Sequence, residues 1–189
     1  SILSKVNSKT KAIITVALFG MCPEMDEIMD IAERHNLKVL EDNAECFLGE
    51  YKGRLVGTIG HAASFSLQNS KHLTSGEGGI IITNDADDAD AIRRIVSLGY
   101  AGVSAKSGKV TKEEIQHPEY LRHKTLSWNY RMPELCCAVA LAQVEQIDNL
   151  VTARVEAGKL FEEAVHDYKD WFTPLVTPDY CKNSYWAFA

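Results

Sequence analysis

Apolar and polar positions alternate along this chain in two rhythms. Residues 12–20, AIITVALFG, form a nearly unbroken apolar run, too short to span a membrane and suited to a strand buried on both faces. After Pro23 the rhythm changes: Met25, Ile28, Met29 and Ala32 recur at helical spacing, and the pattern stops at RHN. The next apolar stretch, LKVLED (37–42), predicts a second strand. Strand, helix and strand in that order are the signature of a parallel sheet.

Downstream, the polar stretch GEYKGRLVGTIG is punctuated by glycines, and AASFSL and GGIIIT predict two further short strands. Asn84 or Asp85 is placed to cap a helix through DADDADAIRRIVSL that closes at Gly99. Its acidic residues come first and its arginines later, the order the helix dipole favours. Residues 100–127 are polar and weakly periodic, the irregular kind of segment that often carries functional loops. Pro133 then opens a helix in which Leu135, Val139, Ala142 and Gln146 share one face. Asp148 is placed to cap another, with Val151, Val155, Phe161 and Val165 apolar. The expected fold class is α/β: a mainly parallel sheet with helices on both faces.

Composition narrows the function classes. A chain of 189 residues, 46% hydrophobic and 24% charged, has the proportions of one soluble, well-cored domain. A net charge of -6 without clustered cations argues against nucleic acid or an anionic membrane as partner. Five cysteines lack metal-ligand spacing: Cys136 and Cys137 are adjacent and no C-x-x-C occurs. They read as small core residues of a reduced, cytoplasmic protein, and no metal site is expected. The chain opens without Met and stops at NSYWAFA, in what patterns as a strand, so a piece of a longer protein is expected.

The candidate chemistry lies at predicted strand ends, where open α/β sheets place their ligands. Asp42 follows LKVLE and serves either as a turn cap or as a ligand contact. Ser66 ends another predicted strand, where it either closes its own turn or binds a ligand. Lys71, in SFSLQNSKHLTSGEGG, is either a surface cation or an amine that bonds covalently. Together the three resemble the minimum equipment for pyridoxal phosphate: an amine for a Schiff base, a carboxylate for the pyridine nitrogen and a hydroxyl for the phosphate.

At this point the chain resembles the DegT/DnrJ/EryC1/StrS family of sugar aminotransferases, which have the aspartate aminotransferase-like fold. VLEDNAECFLGEYKGRLVGTIGHAASFSLQNSKHLTSGEGGIIITND is similar to the family's central block: E-D-x-A, then Y-x-G…G-T-x-G, then F-S-x-x-x-x-K before G-E-G-G. NYRMPEL is similar to its N-Y-R-M segment, and the resemblance covers roughly residues 11–170 in order and spacing. It implies that Lys71 is the Schiff-base lysine and proton shuttle, Asp42 the partner of the pyridine nitrogen, and Ser66 a phosphate-binding hydroxyl. Ala44 would lie beneath the ring, Asn129 would reach the phosphate of a neighbouring subunit in a homodimer, and Arg131 would lie near substrate carboxylate or phosphate groups. Glu45 stands where many relatives have Gln, close to the cofactor's phenolic oxygen; a carboxylate there repels a phenolate unless protonated or turned away.

The resemblance also implies that residues 1–170 are the large cofactor-binding domain without its N-terminal part, and that 171–189 begin the connection to a C-terminal small domain. The implied reaction moves an amino group from an amino acid donor such as L-glutamate to a keto group of a nucleotide-linked sugar. Dehydratases of the same family lack the Schiff-base lysine, which Lys71 supplies here. A non-catalytic protein that keeps the fold is the rival of a different class. A dinucleotide-binding oxidoreductase needs G-x-G-x-x-G after the first strand, and FGMCPEMDE offers none.

Overall fold

The computed structural model describes residues 1–102 and 110–189. These divide into two units, Ser1–Ile82 with Glu134–Ala189, and Thr83–Pro133. Residues 103–109 of the expected irregular excursion lie outside the described residues.

The first unit is built on a four-stranded sheet of order β1-β2-β5-β6: β1 (Ala12–Val16), β2 (Lys38–Asp42), β5 (Ala62–Ser66) and β6 (Gly79–Thr83). β1 pairs parallel with β2 and β2 parallel with β5, in the registers Ile14↔Leu40 and Asp42↔Ser64. Helix α1 (Met25–Arg34) connects β1 to β2 and packs on β2, burying Met25, Ile28 and Ala32 along one face. A left-handed Asn36 (φ 51°) ends it, with Leu37 N–H donating to Ala32 O and Asn36 N–H to Glu33 O. That is the Schellman arrangement, which satisfies carbonyls the helix leaves over. Ala17, Cys22, Val39, Cys46, Tyr51 and Val56 complete this core. Each fully buried aliphatic side chain of this kind contributes about 1.5–3 kcal/mol. The opposite face of β1 and β2 leaves Ile14, Val16 and Leu40 exposed.

The apolar run 12–20 is strand only to Val16. It then tightens into a 3₁₀ turn over Leu18–Gly20, where Phe19 (φ 58°) and Gly20 (φ 102°) leave the extended region. Gly20 suits this place, because a Cβ there would stand 2.5 Å from the Tyr185 backbone nitrogen. Two short strands, β3 (Glu50–Tyr51) and β4 (Arg54–Leu55), form an antiparallel hairpin, and β7 (Cys181–Lys182) pairs antiparallel with β3. The final seven residues are not strand, contrary to expectation: Tyr185 adopts φ 48°, and its N–H turns back to donate to Asn183 Oδ1.

Helices α4 (Glu134–Val144) and α5 (Ile147–His166) follow Pro133. Asp148 lies in the first turn of α5 and does not cap it: α4 ends at Val144 and α5 already begins at Ile147, so Gln146 takes the cap position, without a side-chain cap bond. Asp148 still places its carboxylate at the positive end of the helix dipole.

In the second unit Asp85 caps α2 (Ala86–Val96), accepting from the N–H groups of Asp87 and Asp88 at 2.9 Å. A short helix that the polar pattern did not reveal, α3 (Lys112–Gln116), starts with a Thr111–Glu114 capping box. Leu98 N–H to Trp128 O and Lys124 N–H to Gly99 O tie the segment after α2 to residues 124–128.

Candidate active site

Parallel pairing brings the candidates of the first unit to one sheet edge. Asp42 closes β2 and Ser66 closes the adjacent β5, whose Ser64 is in register with Asp42. Asp42 Oδ1 accepts the Ala44 N–H at 3.1 Å, and Asn43 N–H donates to Ser64 O at 2.9 Å. Ser66 Oγ accepts the Gln68 N–H at 3.3 Å, so this hydroxyl closes its own turn.

Lys71 lies just beyond, between Leu67 and Leu73, both fully buried, which anchor the loop on either side of it. Its side chain is only 15% exposed, and Nζ stands 3.4 Å from Glu45 Oε1. At that distance the pair is an ionic contact, not a tight hydrogen bond. Glu45 Oε2 accepts the N–H of the left-handed Phe19 at 3.0 Å. The Glu45 carboxylate is thereby committed on one oxygen to the turn after β1 and on the other to Lys71.

Three residues that the sequence pattern did not single out enclose the lysine. Trp186 lays its ring against Lys71 Nζ, 4.4 Å from ring centroid to nitrogen, and donates its indole N–H to Ser70 O at 3.0 Å. Arg154, from α5, donates from Nη2 to Lys71 O at 3.1 Å and from Nη1 to Trp186 O at 3.0 Å. His72 is 4% exposed, and its Nε2 meets Ser184 O at 2.9 Å. Burial pushes the His72 ring down to about 4, and the positive charges of Arg154 and Lys71 act in the same direction. A neutral ring facing a carbonyl is a donor at Nε2, which leaves Nδ1 without a partner among the described residues.

One more carboxylate builds the approach to this edge. Glu41 is 1% exposed and accepts three backbone N–H groups, from Gly57 at 2.6 Å, from Ile59 at 2.9 Å and from Gly60. It fixes the loop that leads into β5. A buried acid one residue before Asp42 was the available sequence signal, since isolated charges are rarely buried unless bonded.

Asn129 and Arg131 belong to the second unit. Both are exposed, and Arg131 Nε–H donates to Asn129 Oδ1 at 3.0 Å. The Asn129 backbone forms an isolated bridge with Ser97.

A shielded lysine amine, a carboxylate at a parallel strand end and a hydroxyl on the next strand form a donor set whose chemistry fits pyridoxal phosphate. Over residues 1–189 the sequence matches the model of the DegT/DnrJ/EryC1/StrS aminotransferase family. The chain belongs to that family. A curated relative, the GDP-perosamine synthase of Escherichia coli O157:H7, is 35% identical over 162 residues, or 86% of this chain and 40% of the relative. The solved structure of an aminotransferase from Psychrobacter cryohalolentis superposes with a TM-score of 0.83 at 28% identity, covering 98% of this chain and 48% of that one. The E. coli GDP-4-keto-6-deoxy-D-mannose-3-dehydratase, solved with bound hydrated PLP, gives 0.82 at 25% identity over 99% of this chain and 48% of its own. Nearly the whole of this chain thus superposes on part of these folds, and the chain spans less than half the length of these relatives. Among the described residues no helix is long and apolar enough to cross a membrane.

Proposed function

We propose that this chain carries the central part of a pyridoxal-phosphate-dependent aminotransferase. The donor is an amino acid, L-glutamate by preference, and the acceptor is a keto group of a nucleotide-linked sugar. One observation carries the reading: the Lys71 amine is held out of bulk water beside Glu45, in the loop that leaves the parallel strand pair whose carboxyl ends carry Asp42 and Ser66. Relatives with this framework include a GDP-perosamine synthase and a UDP-4-amino-4-deoxy-L-arabinose–oxoglutarate aminotransferase, which supports a nucleotide-sugar acceptor.

In this reading Lys71 would hold the cofactor through its amine, and Asp42 would keep the pyridine nitrogen protonated. Ser66 would take the phosphate, Ala44 would lie under the ring, and Glu45 would border the cofactor while holding Lys71 and Phe19. When bound, pyridoxal phosphate supplies the electron sink for a carbanion next to nitrogen. The protein then needs one mobile proton carrier, and the Lys71 Nζ is that group. Asn129 would complete the phosphate site of a second copy, making the homodimer part of the site, and Arg131 would meet substrate anions. Residues 1–170 would be the cofactor-binding domain, and 171–189 the start of the link to a small domain. The absence of disulfides among the five cysteines supports a cytoplasmic setting. Lys71 also favours transamination over dehydratase chemistry, because by the resemblance the family's dehydratases lack the Schiff-base lysine.

The deciding experiment incubates the protein with pyridoxal phosphate, reduces it with borohydride and maps the peptides by mass. An adduct confined to the Lys71 peptide is expected, and Lys71→Ala should lose it with the fold intact. Scattered adducts, or a visible absorbance that survives Lys71→Ala, would overturn the assignment.

A further inference from the structure

We propose that Trp186 and Arg154 are positioning residues for Lys71. The indole face shields the amine and, with Glu45, fixes where it points, while the guanidinium locks the backbone beneath it. The inference rests on the reading above only for the identity of the electrophile that Lys71 meets.

A lysine side chain loses rotamer entropy when fixed in one orientation, so a lysine held in place needs contacts along its length. Glu45 alone is a weak holder, because 3.4 Å is long for a charged hydrogen bond. Trp186 supplies the second contact. Its centroid lies 4.4 Å from Nζ, inside the range in which an aromatic face attracts a cation, and the two side chains exclude water from each other.

The ring is itself held on several sides. Its indole N–H is bonded to Ser70 O, its backbone N–H donates to Phe19 O at 3.1 Å, and it stacks on Phe19 at 6.3 Å with planes 10° apart. Arg154 closes the circuit. One guanidinium fork reaches the carbonyls of Lys71 and Trp186 together, so the lysine's backbone and the residue that covers its amine share an anchor. A lysine ammonium lacks that planar fork. Phe19 and Tyr185, on either side of the arrangement, both hold left-handed backbone that non-glycine residues rarely adopt, a cost the surrounding contacts must sustain.

If Trp186 were only a cover for the fold, replacing it would lower stability and leave Lys71 chemically unchanged. The test is competitive reductive methylation of the full chain with formaldehyde and cyanoborohydride. Lys71 labelling is read by peptide mass against the exposed Lys9 and Lys38 as internal standards. Trp186→Ala should raise the Lys71 ratio several-fold, Trp186→Phe should stay near wild type because the ring face remains, and Arg154→Gln should raise it more modestly. Thermal melts identify variants that remain folded under the labelling conditions, and the ratio is compared only among those. In the same folded variants, the visible circular dichroism of the adduct formed with pyridoxal phosphate should weaken in Trp186→Ala and persist in Trp186→Phe. An unchanged Lys71 ratio in a folded Trp186→Ala protein overturns the proposal, and so does a Trp186→Phe protein that matches Trp186→Ala. A wild-type chain that forms no cofactor adduct but shows the expected labelling ratios would retire the proposed function and leave this assignment standing.

Discussion

Gly158 and Tyr185 approach so closely that a Cβ on the glycine would stand 2.3 Å from the tyrosine Cδ1. The missing side chain in the middle of α5 is what lets the tail 183–186 lie against the helix. The tyrosine ring has little freedom to retreat, since its hydroxyl donates to Glu162 Oε1 at 2.6 Å. Gly158→Ala gains up to about 1 kcal/mol of helix propensity. The clash costs about 1–3 kcal/mol when a packed group must move, so the net effect is destabilising. A lower denaturation midpoint together with altered Trp186 fluorescence is expected. A midpoint raised by the substitution would show that the tail is not seated on α5.

The buried Glu41 carboxylate gives a second, independent expectation. Its two oxygens serve three N–H groups of residues 57–60. Glu41→Gln keeps the shape but turns one acceptor into an amide that faces a buried N–H. Losing one or two charge-assisted bonds of about 1.5–3 kcal/mol each is expected to lower stability by roughly 1.5–6 kcal/mol. Urea unfolding measures the loss, and hydrogen exchange at Gly57 should quicken in the variant. A change within about 0.5 kcal/mol, the range of ordinary surface substitutions, would contradict this account.

Local signals and long-range contacts explain what the sequence disclosed. α1, β2 and α2 were legible because Met25, Ile28 and Ala32 share a period and Asp85 is a local cap; such signals are complete within a few residues. The run 12–20 overreached, because hydrophobicity does not report the left-handed turn at Phe19 and Gly20. α3 was hidden by its polar composition, although Thr111 and Glu114 carry a capping-box spacing that could have found it. The strand-end positions of Asp42 and Ser66, and the place of Lys71 in the loop after β5, were legible from the strand pattern. Trp186 and Arg154 were not, since their meaning depends on the return of the tail to Phe19 and Ser70. NSYWAFA reads as an exposed strand until that return is seen.

The return of the tail also joins Cys181 to Cys22, whose backbone N–H donates to Cys181 Sγ at 3.2 Å. Interaction with Cys22, whose side chain and backbone N–H both favour the thiolate, brings the Cys181 thiol down to about 7, while the neighbouring Cys181 and burial drive Cys22 up. Thiolate is the reactive form. Alkylation of Cys181 by iodoacetamide, followed by peptide mass, should therefore rise through about pH 7. Cys22→Ala should move that midpoint upward toward the ordinary thiol value. An unmoved midpoint would mean that Cys22 does not stabilise the Cys181 thiolate.

His72 links the same tail to the acid stability of the fold. Its ring is neutral in the folded protein, with burial holding it down to about 4, whereas in the unfolded chain it protonates near about 6.5. Between those values the unfolded chain binds a proton that the folded protein refuses, so stability falls as the pH drops through this window. Above about 6.5 the contribution is complete and flat. Below the folded value both states are protonated and it is lost, a swing of up to about 3 kcal/mol. Carboxylates titrate near the lower end of the same window, so wild type alone cannot isolate the effect. His72→Gln keeps an amide donor for Ser184 O and removes the titration. The difference in unfolding free energy between wild type and His72→Gln, measured from pH 8 to 4, should be constant above about 6.5 and shift against wild type below it. Parallel curves would place the His72 proton equally in both states and remove the ring as the acid-sensitive contact between the Lys71 loop and the tail.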